Sequence, residues 1–435
     1  MNKLSGQDIK TLALSALGGA LEFFDFIIFV FFTKILSELF FPAEMPQWLS
    51  ELQVYGIFAA GYLARPVGGI IMAHFGDKVG RKKLFSFSVF LMAVPTLLVG
   101  FLPTYASIGI AAPILLLILR IVQGFAIGGE VPAAWVFVAE HVPSNRVGFA
   151  CASLTSGLIA GILMGSLLGS AIFGNLSQTE LASYGWRLPF WIGGILGFFA
   201  VWLRKHLHET PVFEEMKKRK ELHKDIPLKT VIRDHKKGIG YSMAVTWVLT
   251  AAIVVIILMT PNIVQSNFGL SAAVAFKGNN LAALFLFASC LIGGYFSDKF
   301  GILKVLITYA ILLIITSFLL YSDLCNTNGN NFYPLYILAG IAAGVTGIVP
   351  SVMIKLFPPN VRFTGVSFSY NVAYAIFGAI TPPTLAYMTS NIGKMAPAYY
   401  VITSCIAAII VGLVLLEKRS IFHKASVEPA ILTDK

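Results

Sequence analysis

The chain has 435 residues, 57% of them hydrophobic and only 12% charged, and its mean hydropathy is +0.79. Soluble domains carry about 25% charged residues, so an ordinary soluble fold is excluded. The formal charge of +11 would suit a polyanionic partner, but its distribution decides otherwise.

All but six of the 32 Lys and Arg fall in the termini and in loops on one side of a chain with many apolar runs. Lys34, Arg187, Lys277 and Lys394 fall on the other side, and Arg65 and Arg120 fall within spans. This asymmetry follows the positive-inside rule and places both termini in the cytoplasm. The basicity therefore reflects topology, and no nucleic acid is expected as a partner. Cys151, Cys290, Cys325 and Cys405 have no metal-like spacing. Three of them fall inside spans as small apolar residues, so neither a disulfide framework nor a metal site or cofactor is expected.

The N-terminus, MNKLSGQDIK, runs into the first span without a small-residue cleavage site, which reads as an uncleaved helix. Apolar runs of about 20 residues or more recur twelve times, centred near residues 22, 63, 93, 124, 160, 195, 251, 287, 312, 345, 376 and 406. The first reads GGALEFFDFIIFVFF, with Glu22 and Asp25 three residues apart and so on one helical face. A charge at the bilayer centre costs about 2.5–3.5 kcal/mol on insertion scales. Both acids must therefore face a cavity, meet a cation or carry a proton, and they are the candidates for proton coupling.

The second span ends in FGDKVGRKK. Gly76 and Gly80 permit a tight turn there, and Lys78, Arg81, Lys82 and Lys83 hold it to the cytoplasm. Asp77 among these cations forms a candidate latch between neighbouring helices. Arg65 precedes Pro66 in mid-span; it either satisfies the carbonyls that the proline frees or takes part in substrate or proton coupling.

In the fourth span Arg120 and Glu130 are ten residues apart, about 15 Å along a helix, and each needs a partner elsewhere. Arg120 suits bidentate contact with a carboxylate, whether of Glu22, of Asp25 or of a substrate, and Gln123 shares its face. Glu130 lies nearer the cytoplasmic end and is expected to lock onto the loop after Gly76. The fifth span carries Gly157, Gly161, Gly165 and Gly169 at successive i+4 positions, a stripe that lets another backbone approach closely.

Between Arg204 and Gly238 the charged stretch RKHLHETPVFEEMKKRKELHKDIPLKTVIRDHKKG divides the chain. The expected units are a six-helix bundle at 1–205, a cytoplasmic linker at 206–237, a second bundle at 238–418 and a short tail at 419–435. FEEMKKRKEL within the linker reads as an amphipathic surface helix on the membrane face.

The halves repeat one another. Asp77-Lys78-Val79-Gly80 recurs as Asp298-Lys299-Phe300-Gly301, although Ile302-Leu303 then replace two cations. His141-Val142-Pro143-Ser144-Asn145-Arg146 is echoed by Leu356-Phe357-Pro358-Pro359-Asn360-Val361-Arg362. Asp298 and Arg146 thus join the candidate latch. Parallel repeats of this kind place a substrate site between the halves. In the second half Trp247, Tyr370, Asn371 and Tyr374 are the candidate lining, with Thr246, Asn279 and Asn280 behind them. Aromatic rings at a cavity suit an ammonium-bearing substrate through cation–π contact.

The loop after the second span resembles the G-x-x-x-D-[RK]-x-G-[RK]-[RK] motif of the major facilitator superfamily, with Ala73 where the motif has Gly. YLARPVGG, LEFFDF, RIVQG…GGE and WRLPF…LRKHLHETPVF are similar to its metabolite:proton symporter branch, and PAYYVITSCIAAIIVGLVL, FPPNVRFTG and NVAYAIFG to the proline/betaine members. The resemblance implies an all-α integral membrane protein, with twelve transmembrane helices in two pseudo-symmetric six-helix bundles. It further implies proton-coupled import across the inner membrane, by a monomer set in lipid. The implied cargo is a zwitterionic osmolyte or amino acid such as proline or betaine, or a mono- or dicarboxylate. The residues after the last span lack the heptads of the coiled-coil tail in osmosensing members. Proton-driven efflux is the rival reading; drug antiporters of the superfamily resemble one another in a Gly-Pro kink at the fifth span, and no Pro occurs between Pro143 and Pro189. An enzyme is not expected, since no His stands in HExxH or similar spacing.

Overall fold

The computed structural model describes residues 4–79, 81–204, 209–218, 227–327 and 329–418. A few helical side chains also lie outside the description, among them Glu22, Asp77, Lys78, Arg81 and Lys82, as do Gly80 and the tail from 419. The proposed proton role of Glu22 and the proposed latch contacts of Asp77 to Lys82 therefore fall outside the described residues.

The described residues form helices joined by turns. The first half comprises α1 (Gly6–Phe31), α2 (Gln47–Val79), α3 (Arg81–Val99), α4 (Ala111–His141), α5 (Val147–Asn175) and α6 (Leu188–Arg204). The second comprises α7 (Lys236–Phe268), α8 (Ala272–Phe300), α9 (Ile302–Thr327), α10 (Phe332–Lys355), α11 (Arg362–Asn391) and α12 (Ala396–Glu417). Eleven are long and apolar enough to cross a membrane, and in α3 the apolar part is the shorter Ser86–Val99. The whole of α3 runs 19 residues. Large apolar side chains such as Leu63, Ile195 and Leu413 stay exposed, as suits contact with apolar lipid tails.

Two spans depart from regular helix. In α7 the residues Ala252–Met259 form a π-helical segment. The hydroxyl of Tyr336 donates to the carbonyl of Ile256 (2.7 Å) and that of Thr260 to the carbonyl of Val255 (2.8 Å), covering groups that the wider turn displaces. In α10 the helix is interrupted between Ala342 and Val345.

The glycine stripe packs α5 against α1. A Cβ on Gly157 or Gly161 would collide with the backbone of Ala16 or Ala20, and one on Gly165 with the side chain of Ile27. Lipid supplies no hydrophobic force between helices, so close backbone approach is what holds such pairs.

α2 stays helical through Val79 and α3 begins at Arg81, which places Asp77 on the last helical turn instead of in a loop. Its repeat behaves alike: Asp298 is helical and the reversal falls on Gly301, whose φ of +100° favours glycine. In the connecting stretch, Pro211–Lys218 and Pro227–Asp234 are short helices. The expected surface helix thus begins at Pro211 and is described as far as Lys218.

Candidate transport site and inter-half contacts

Asp25 of α1 is 1% exposed and faces α4. Gln123 binds both charges of the pair: its Nε2 donates to Asp25 Oδ2 (2.9 Å), and its Oε1 accepts from Arg120 Nη1 (2.7 Å). Gln123 Nε2 also reaches the Thr96 hydroxyl (2.9 Å), and Arg120 Nη1 stands 3.6 Å from Asp25 Oδ2. The Arg120 guanidinium lies over the Phe29 ring at 3.6 Å. Its Nε and Nη2, and Asp25 Oδ1, have no hydrogen-bond partner among the described residues. Buried polar groups are normally paired, and these three atoms are exceptions to that rule.

Beside Arg120 lies a cavity of about 20 Å³, lined by Phe58, Tyr62, Arg65, Arg120, Gln123 and Ile127. It has room for a water molecule but not for an amino acid. Arg65 closes its other side. Its Nη2 donates to the Tyr370 hydroxyl (3.4 Å), and its guanidinium carbon lies 4.6 Å from the ring of Tyr374, 5.5 Å from Tyr62 and 5.6 Å from Tyr370. Tyr62 of α2 stacks on Tyr374 of α11 with centroids 5.8 Å apart and 2° between planes. Arg65 is thus lodged among aromatic rings contributed by both halves.

Several contacts join the halves. Asp298 at the end of α8 accepts from the backbone N–H groups of Gly148 (2.8 Å) and Phe149 (3.0 Å), in the first turn of α5. Arg146 and Lys355 act on it electrostatically. Arg362 Nη1 pairs with Glu140 at 3.1 Å. Ser367 donates to the Gly69 carbonyl (2.9 Å) and Asn371 Nδ2 to that of Gly128 (2.7 Å). At the opposite end, a cavity of about 1100 Å³ opens between α1, α5, α7 and α8, with Lys34, Glu38 and Lys277 on its walls. Among the described residues, contacts between the halves thus gather at the end bearing Asp298, and the large cavity lies at the other.

Set against the sequence, Asp25, Arg120 and Gln123 come together as one network, and Arg65, Tyr370 and Tyr374 as a second. Asn371 is fully buried; its Nδ2 donates to the Gly128 carbonyl of α4 (2.7 Å), and its Oδ1 has no hydrogen-bond partner among the described residues. Trp247 stacks on Phe377 and donates to the Tyr400 hydroxyl (3.1 Å), inside the second half. Asn279 and Asn280 lie well inside α8, the former bonded to Tyr336 (2.6 Å) and the latter to Ser166 (2.6 Å). Glu130 has a partner that the sequence did not suggest, Arg204 at 2.6 Å, with both side chains 1% exposed. Tyr62, Glu140 and Arg362 were also missed as site residues. Tyr62 carried a signal, since it stands three residues before Arg65 on the same helical face.

Two bundles of apolar helices, with buried charged networks and a large cavity between the halves, fit a membrane transporter. The chain belongs to the Major Facilitator Superfamily, whose family model matches residues 15–382. It is 30% identical over 428 residues to a proline/betaine transporter of Salmonella typhimurium, covering 94% of this chain and 83% of that one. It is 31% identical to the inner membrane metabolite transport protein YhjE of Escherichia coli, with 90% of each covered. Among solved structures, the proton:xylose symporter XylE bound to 6-bromo-6-deoxy-D-glucose superposes with a TM-score of 0.78 at 15% identity, over 94% of this chain and 95% of that one. FucP in the outward conformation gives 0.68 at 15% identity, over 93% and 99%. The protein is thus a multi-pass membrane transporter and not an enzyme.

Proposed function

We propose that the protein imports a small carboxylate-bearing metabolite, a zwitterion such as proline or betaine before a mono- or dicarboxylate, together with a proton. The observation that carries this reading is the Arg120 guanidinium, buried beside a cavity with Nε and Nη2 unpartnered among the described residues. The relatives named proline/betaine transporter support the substrate class. Every candidate in it carries a carboxylate, and a planar fork holds one bidentately. Asp25 is the proton carrier, since its Oδ2 is tied through Gln123 to the same arginine. Loading of proton and substrate is thereby linked at one residue.

Transport proceeds by rocking of the halves, with Asp298, Glu140–Arg362 and, by the repeat, Asp77 holding the latch end closed. That end is cytoplasmic and the cavity bearing Lys34 and Lys277 is the outer mouth, in a chain that works as a monomer in the inner membrane. A thermal-shift screen of purified protein against amino acids, betaines and mono-, di- and tricarboxylates tests the substrate class, because a ligand stabilises by RT ln(1 + [L]/Kd). The expected hits are zwitterions and small carboxylates, with the shift reduced in Arg120→Lys. Equal shifts in wild type and Arg120→Lys would make Arg120 an internal partner of Asp25 only.

A further inference from the structure

The small cavity holds a water molecule at most, so substrate must displace a side chain from its wall. Arg120 and Gln123 are fastened to Asp25. The Arg65 guanidinium sits among the rings of Tyr62, Tyr374 and Tyr370, the last also accepting a hydrogen bond from it. Cation–π attraction is open to a ligand cation as well as to a side chain, and quaternary ammonium groups are recognised by such aromatic cages. Two of the three rings, Tyr370 and Tyr374, belong to α11, while Tyr62 and Arg65 belong to α2. The same guanidinium therefore ties one half to the other.

We propose that Arg65 is a built-in placeholder for the substrate's ammonium group: a trimethylammonium or secondary ammonium displaces it from the tyrosine cage while the substrate carboxylate takes Arg120. This deepens the zwitterion reading and rests on it. Displacement does two things at once. It creates volume beside a cavity of about 20 Å³, and it removes the Arg65 contacts between α2 and α11. Binding of a substrate with both charges is thereby coupled to release of the halves. A carboxylate without the cation leaves Arg65 in the cage.

The test compares glycine betaine with 3,3-dimethylbutanoate, its uncharged-head isostere, by titration calorimetry on purified full-length protein. Wild type should bind betaine at least tenfold more tightly than the isostere. Arg65→Met keeps the length and removes the placeholder, so betaine affinity should rise three- to tenfold while the isostere changes less than twofold. Tyr374→Leu should erase the preference for betaine and Tyr374→Phe should keep it, an arm that stands even if Arg65→Met does not fold. Weaker or unchanged betaine binding in Arg65→Met, or a preference that survives Tyr374→Leu, overturns the placeholder. If neither betaine nor proline binds wild type, the zwitterion reading fails and the placeholder with it. If betaine binds but is not preferred to its isostere, only the placeholder fails.

Discussion

Asp298 accepts the backbone N–H of Gly148 at 2.8 Å, so a carboxylate of the second half caps the first turn of a helix in the first half. The positive end of a helix dipole stabilises such a charge by about 0.3–2 kcal/mol. Opening the latch end must break this contact. Asp298→Asn keeps an acceptor and loses the charge, and should shift the equilibrium towards opening by about 1–2 kcal/mol, roughly 5- to 30-fold. Cys151, fully buried one turn along the same helix, is a native reporter. With the exposed Cys325 changed to Ser, alkylation of Cys151 should quicken by that factor in Asp298→Asn. An unchanged rate would show that the cap does not hold the latch.

The repeat carries the same expectation to Asp77. Asp77→Asn should nearly abolish transport and leave substrate affinity largely intact, because the residue lies far along α2 from Arg65. Transport and equilibrium binding measured on one preparation decide this. Normal transport would show that Asp77 is no latch.

Glu130 and Arg204 form a 2.6 Å pair with both side chains 1% exposed. Removing one partner of a buried pair leaves an uncompensated charge and costs about 3–5 kcal/mol. Glu130→Ala and Arg204→Ala should each lower the thermal midpoint in detergent substantially. The double variant Glu130→Leu/Arg204→Met should recover most of the loss. Additive losses would mean that the two residues act separately.

The four glycines of the stripe are equivalent in sequence but not in packing. A Cβ on Gly161 would strike the Ala20 carbonyl, whereas one on Gly169 would rest 3.5 Å from Phe31, an ordinary contact. Overpacking costs about 1–3 kcal/mol, and Gly161→Ala should lose at least that because its obstacle is backbone. Gly169→Ala should be neutral or stabilising by up to about 1 kcal/mol, as glycine in a helix is costly. Melting curves of the two variants side by side make the comparison.

Span count, the division into halves and the glycine stripe were legible because each is written in local periodicity or in repetition. Arg120 with Gln123, and their link to an acid of the first span, were legible because a buried charge demands a partner and few were on offer. The pairs that were missed have partners far apart in the chain. Glu140 meets Arg362 across 222 positions, and nothing local to either marks the other. Arg204 read as the first cation of the linker, yet it ends α6 and turns inward to Glu130. Asn371 donates to the Gly128 carbonyl across 243 positions, a partner that nothing local to it marks.

The central claim is that a proton on Asp25 and a carboxylate on Arg120 are moved together. Purified protein in liposomes, with labelled substrate taken from the thermal-shift screen, tests it most directly. Uptake is measured against an imposed pH gradient and, separately, as counterflow exchange without one. Asp25→Asn should lose accumulation against the substrate gradient and keep counterflow, which needs no net proton movement. Accumulation by Asp25→Asn at the wild-type level, with unaltered pH dependence, would contradict the account.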